Sequence, residues 1–98
     1  MARTAETISR SVRVRVGGRV QGVGYRFFAV RAAESCGVTG FVRNLEDGAV
    51  EVRADGSGEA VSRFLAALRS GPSASKVEDF EVLDGQAAGG FRGFEVRY

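Results

Sequence analysis

The feature that most constrains this chain is a strictly alternating segment that runs directly into a cluster of glycines. In "SVRVRVGG" (11–18) valines alternate with arginines, which is the pattern of a strand with one buried and one exposed face. The segment 17–24 contains four glycines and interrupts this alternation. Apolar residues then recur at every fourth position in 25–36, up to Gly37. This order predicts a strand, a tight glycine-rich turn and a helix.

The rest of the chain supplies three more strand patterns and one helix pattern. Strands are predicted at 38–44 and 49–55, on either side of an Asp-Gly turn, so that they form a hairpin. Apolar residues at i, i+3, i+4 and i+7 predict a second helix at 57–70. A strand is predicted at 76–84 and a shorter one at the alternating end of the chain, with a flexible glycine-rich loop at 85–90 between them.

The order β-α-β-β-α-β, with one further short strand, is that of the ferredoxin-like sandwich, an α+β fold. We expect an antiparallel sheet with two helices on one face. The other face is expected to be solvated. It would carry the charged side chains of the alternating strands: Arg13, Arg15, Glu51, Arg53, Glu95 and Arg97. A flexible N-terminal tail is predicted at 1–10, and one domain at 11–98, since 98 residues leave no room for two.

Composition narrows the chemistry that the chain can perform. There is no histidine, which excludes histidine-based catalysis, and one cysteine, Cys36, which excludes an intrachain disulfide and argues against a zinc site. Cys36 is expected to be a small buried apolar residue. The net charge of +2 suits a small anionic ligand better than nucleic acid. No segment is apolar enough to cross a membrane or to serve as a secretory signal, so the cytoplasm is the expected compartment.

The glycine-rich turn is a candidate anion site. Glycines expose successive backbone N–H groups, the N-terminus of the following helix adds partial positive charge, and Arg26 offers a planar fork that matches phosphate oxygens. The segment lacks the Lys-Ser/Thr of a Walker loop and the glycine spacing of a dinucleotide site. On the residues alone, a tight connection with a solvent-facing Arg26 explains the segment equally well.

Two motifs decide between these interpretations. "GRVQGVGYR" (18–26) resembles the first signature of the acylphosphatase family, and "GFVRNLEDGAVEVRADG" (40–56) resembles the second. The second falls on Gly40, Phe41, Val42, Asn44, Gly48, Val50 and Gly56. The resemblance covers about residues 11–98, and no signature position departs from the pattern.

The resemblance implies hydrolysis of acyl phosphates to a carboxylate and inorganic phosphate, with no metal and no organic cofactor. It assigns the phosphoryl group to Arg26 and to the backbone amides of Arg19, Val20, Gln21, Gly22 and Val23. It assigns the positioning of the attacking water to Asn44. Without the resemblance, an asparagine just before a hairpin turn would be expected to cap that turn.

The partner expected from these features is a small acyl phosphate, bound by a monomer. No nucleic-acid or membrane partner is expected. A non-catalytic regulatory domain that binds acyl or carbamoyl phosphate, similar to domains of hydrogenase maturation proteins, is the alternative. An RNA-recognition domain of the same fold is disfavoured, because its aromatic strand pattern is absent.

Overall fold

The secondary structure follows the predicted order of elements. The computed structural model describes residues 8–98, and residues 1–7 of the predicted tail lie outside the described residues. The elements are β1 (Arg10–Arg19), α1 (Tyr25–Cys36), β2 (Thr39–Asn44), β3 (Val50–Gly56), α2 (Gly58–Ser70), β4 (Lys76–Leu83) and β5 (Phe94–Arg97). The first strand therefore begins one residue before the predicted domain boundary.

The strands form one five-stranded sheet in the order β4-β1-β3-β2-β5. β1 is antiparallel to β3 and β4, and β2 is antiparallel to β3, as the hairpin prediction requires. β5 pairs with β2 in parallel, so the sheet is mixed and the expectation of a purely antiparallel sheet is corrected. The reason is that the long segment 84–93 carries the chain across to the β2 edge, and a crossover of this kind permits a parallel pair. The ferredoxin-like α+β class is confirmed.

Both helices cover the apolar face of the sheet. The valines of β1 and β3 on this face are fully buried, as the alternation predicts. The helices contribute Tyr25, Ala29, Ala33, Val61, Phe64 and Leu68 to the same core. Ser57 caps α2, where its side chain accepts a hydrogen bond of 3.1 Å from the backbone N–H of Ala60. Cys36 is half-buried and packs against the core, as expected for an apolar side chain.

The charged face of the sheet is less exposed than the alternation predicts. Glu51 is buried and accepts hydrogen bonds from Arg13 and Arg43. Asp55 is also buried, and its carboxylate accepts the backbone N–H of Gly89 at 2.7 Å. The expectation of a solvated face is therefore wrong at Glu51, which two arginines contact. Asp55, which that expectation did not name, is buried where the loop between β4 and β5 is hydrogen-bonded to the sheet.

Candidate active site

The register of the sheet brings the two signature motifs together. Val50 of β3 pairs with Val16 of β1 on one side and with Asn44 of β2 on the other. After Val16, β1 pairs only with β4, and the loop 20–24 then leads into α1. The loop after the first strand and the last residue of the second strand therefore lie at the same end of the sheet.

Two glycines give the loop 20–24 its shape. Gly22 has a φ of 76°, and Gly24, which precedes the first turn of α1, has a φ of 79°. A Cβ at either position would meet no atom within 4 Å, so glycine serves the backbone conformation here and not a lack of space. No side chain caps α1. Within the described residues, the backbone N–H groups of 20–24 donate to no oxygen, which leaves them available to an anion.

A pocket of about 160 Å³ lies where the loop, the start of α1 and the end of β2 meet. It is lined by Val20, Gly22, Gly24, Tyr25, Arg26, Phe27, Asn44, Val96 and Tyr98. The pocket therefore brings together four of the seven predicted site residues. The other three predicted residues do not line the pocket. Arg19 is exposed at the end of β1, Val23 packs against the core, and the Gln21 side chain is hydrogen-bonded to the turn after Asn44.

Among the described residues that line the pocket, Arg26 is the only one whose side chain carries a formal charge at neutral pH. It is half-buried and forms no ion pair with the rest of the described chain. Its guanidinium carbon lies 5.0 Å from the centre of the Tyr98 ring, a cation–π distance that orients the planar group. Within residues 8–98, the charge of Arg26 is thus not neutralised by a neighbouring carboxylate side chain.

Asn44 presents an unused acceptor at the pocket. Its Oδ1 atom is buried and has no hydrogen-bond partner within residues 8–98. The turn that follows is capped by Asp47, whose Oδ1 accepts the backbone N–H of Ala49 at 3.1 Å. The alternative role for Asn44, that of capping the turn, is therefore filled by a different residue. A buried amide oxygen without a partner suits a ligand or a water molecule.

Gln21 makes contacts that the sequence did not indicate. Its side-chain Nε2 donates to the backbone carbonyls of Leu45 and Ala49, both at 2.8 Å. These carbonyls belong to the turn that directly follows Asn44. The signature motif includes the glutamine, but its partners are 24 and 28 residues away in sequence, and no local pattern points to them.

Within residues 8–98, no carboxylate side chain and no thiol lines the pocket. Tyr25 donates its hydroxyl to the backbone carbonyl of Leu68 at 2.7 Å, and burial raises the pKa of this hydroxyl above its ordinary value of 10.0. Tyr25 is therefore a neutral wall of the pocket and not a proton acceptor. Phe27 and Tyr98 are exposed at its mouth. No lining side chain can act as a general base near neutral pH.

Two further properties concern the described chain as a whole. Among residues 8–98, no three His, Cys, Asp or Glu side chains are arranged to hold a metal ion. None of the helices in this part of the chain has the length and apolar character needed to span a membrane. The expectation of a reaction without a metal stays a prediction.

The fold and the pocket define a class: small ferredoxin-like domains in which a glycine loop, a helix N-terminus and an arginine meet. Within it, the acylphosphatase family model matches residues 12–96. The acylphosphatase of Syntrophotalea carbinolica is 51% identical over 87 residues, covering 89% of this chain and 95% of that protein. The acylphosphatase structure from Bacillus subtilis matches with a TM-score of 0.88 at 37% identity, covering 91% of this chain and 99% of that one.

The structure of T. kodakarensis HypF matches with a TM-score of 0.80 at 28% identity, covering 91% of this chain but 12% of that protein. The chain belongs to the acylphosphatase family. The resemblance of the two signatures is thereby confirmed, as is the prediction of an acylphosphatase enzyme.

Proposed function

We propose that this protein hydrolyses the carboxyl–phosphate bond of acyl phosphates, with Arg26 and the loop amides binding the phosphoryl group and Asn44 positioning water. One observation carries the proposal: three kinds of group that have no partner within residues 8–98 share one small pocket. They are the guanidinium of Arg26, the backbone N–H groups of the loop and the buried amide oxygen of Asn44. Family membership supports the reaction class.

The phosphoryl group is held by positive and partially positive groups. The backbone amides of residues 19–23 surround its oxygens, with Val20 and Gly22 lining the pocket itself. Arg26 adds a full positive charge and two parallel N–H donors. The charge-assisted hydrogen bonds that these donors form are roughly twice as strong as neutral hydrogen bonds. In a largely dissociative transition state, charge spreads over the three equatorial oxygens, and these donors stabilise that charge.

Asn44 orients the nucleophile and does not activate it chemically. Its Oδ1 accepts a hydrogen bond from water and directs a lone pair of that water towards phosphorus. The new bond joins the water oxygen to phosphorus, while the bond from phosphorus to the acyl oxygen breaks and the carboxylate leaves. The proton released by water passes to a phosphoryl oxygen, because no histidine, thiol or carboxylate side chain lines the pocket within residues 8–98. A carboxylate is a good leaving group, so no protein acid is needed.

The alternative is a domain that binds acyl or carbamoyl phosphate without turnover. The match to part of T. kodakarensis HypF supports keeping this candidate, since the same fold there makes up a small share of a much longer protein. A cytoplasmic monomer acting on a small acyl phosphate, without nucleic acid, membrane or metal, remains our expectation.

Turnover separates the two candidates. Purified protein is incubated with benzoyl phosphate in the presence of EDTA, and the loss of acyl phosphate is followed by ultraviolet absorbance. We expect hydrolysis well above the rate without protein. Arg26→Ala and Asn44→Ala should each nearly abolish it while leaving the circular dichroism spectrum unchanged. Binding of inorganic phosphate with no turnover would favour the non-catalytic domain, and full activity in either variant would remove that residue from the mechanism.

A further inference from the structure

We propose that Gln21 is a positioning residue that fixes the distance between the phosphate-binding loop and Asn44. The proposal rests on the function proposed above and adds a residue to its machinery. Gln21 acts through its side chain, which bridges two segments that the sheet does not connect directly. Its own side chain does not line the pocket, so its effect on the reaction is transmitted through Asn44.

The bridge uses the whole donor capacity of the Gln21 side chain. Its amide nitrogen has two hydrogens, and it donates to two carbonyls, those of Leu45 and Ala49. The same carbonyls also close the turn, because the Ala49 carbonyl accepts the Leu45 N–H at 2.8 Å and the Leu45 carbonyl accepts the Gly48 N–H at 3.3 Å. Gln21 is thus bound to the two atoms that define the geometry of the turn.

Asn44 depends on this turn for its position. Within the described residues its Oδ1 atom has no hydrogen-bond partner, so its position depends on the Asn44 backbone and on Leu45, which follows directly. Within residues 8–98, the two bonds from Gln21 are the only hydrogen bonds between the loop 20–24 and the turn 45–49. A change in Gln21 therefore alters the separation between the bound phosphoryl group and the water that Asn44 orients.

The turn has enough other support to fold without Gln21. Asp47 accepts the Ala49 N–H, and its carboxylate also pairs with Arg15 of β1. Gln21→Met keeps the length of the side chain and removes both donors, so it should loosen the bridge and leave the fold intact. Gln86 provides the matched control, because it is the only other glutamine in the chain and does not line the pocket.

The test compares Gln21→Met with Gln86→Met in steady-state hydrolysis of benzoyl phosphate and in inhibition by inorganic phosphate. For Gln21→Met we expect kcat to fall roughly 10- to 100-fold, since displacing a reacting group by about 1 Å costs up to that much. The inhibition constant of phosphate should change by less than about threefold, because the loop amides and Arg26 remain. Gln86→Met should match the unmodified enzyme in both quantities.

A side-chain amide NMR spectrum gives a second measurement that does not need turnover. Asn44 is the only asparagine, so its amide signals are distinguishable from those of the two glutamines. They should shift in Gln21→Met and stay in place in Gln86→Met. If the unmodified protein shows no turnover, the proposed function fails, and the NMR shift still decides whether Gln21 positions Asn44.

Asn44 amide signals that stay in place in Gln21→Met would overturn the proposal, and so would three further results. An unchanged kcat in folded Gln21→Met is one, and a loss of phosphate binding as large as the loss of kcat is another. The third concerns folding: if Gln21→Met and the shorter Gln21→Asn both fail to fold, Gln21 serves stability and not positioning.

Discussion

Replacing Arg26 with lysine separates the charge of this side chain from its shape. Lysine keeps the positive charge, but it replaces a planar fork with a single compact ammonium group. Arg26 is suited to this test because it is the one formally charged side chain lining the pocket, and it has no ion-pair partner among residues 8–98. Losing arginine should therefore cost binding to the substrate and little stability.

The expected magnitudes follow from the two donors of the fork. A hydrogen bond to a charged group contributes about 1.5–3 kcal/mol, so two such bonds contribute about 3–6 kcal/mol. Arg26→Ala should then lower kcat/KM by roughly 10²- to 10⁴-fold. Arg26→Lys keeps one charged bond and should lower kcat/KM by roughly 10- to 100-fold.

The assay is the initial rate of benzoyl phosphate hydrolysis over a range of substrate concentrations. Arg31→Lys is the matched control, since Arg31 is exposed on the same helix and does not line the pocket. Thermal unfolding should show that all variants are folded at the assay temperature. Full activity in Arg26→Lys would show that the fork has no role, and full activity in Arg26→Ala would refute the assignment of Arg26 altogether.

Three other predictions follow from the structure. Gly22→Ala should lower the free energy of unfolding in urea by about 1–2 kcal/mol, because its φ of 76° disfavours a Cβ even in open space. Gly58→Ala, in helix α2 and also in open space, should instead raise the free energy of unfolding by up to about 1 kcal/mol. An equal change in the free energy of unfolding for both variants would contradict the explanation by backbone conformation. Tyr25→Phe should cost about 1–3 kcal/mol by leaving the buried Leu68 carbonyl unpaired. Because the pKa of Tyr25 is raised on folding, its contribution is complete below pH 10.0 and is lost at higher pH, so alkaline unfolding should be steeper for the unmodified protein than for the variant. Finally, kcat should be flat between about pH 5 and 8, since no histidine, thiol or carboxylate side chain lines the pocket within residues 8–98. A required base with a pKa of about 6–8 would contradict proton transfer to the substrate.

Local patterns were sufficient to predict most of the fold. The valines of β1 alternate with arginines, and all three are fully buried because a strand places successive side chains on opposite faces. Helix α2 was predicted at 57–70 from its apolar spacing, and it begins directly after its cap, Ser57, and ends before Gly71. These features depend on the spacing of neighbouring residues, and such spacing is present in the sequence itself.

Features that depend on distant contacts were not predicted. The parallel pairing of β5 with β2 depends on the path of the segment 84–93, which has no periodic pattern. Asp55 is buried because Gly89 of the same segment donates to it. The bridge from Gln21 to the turn after Asn44 is of the same kind, since it becomes visible only once the sheet places the two segments side by side.

The position of Asn44 shows why the strand register matters to the reaction. In β2 the residues of even number, Gly40 and Val42, are buried on one side, and Asn44 continues that row past the end of the core. Because side chains alternate between faces, a shift of β2 by one residue against Val50 would bring Arg43 or Leu45 to the place of Asn44. The same Val50 also fixes Val16, from which β1 leads to the phosphate loop. The pairing of Val50 with both Val16 and Asn44 thus aligns the two halves of the site. A substitution that shifts this register should abolish activity even when every pocket side chain is retained.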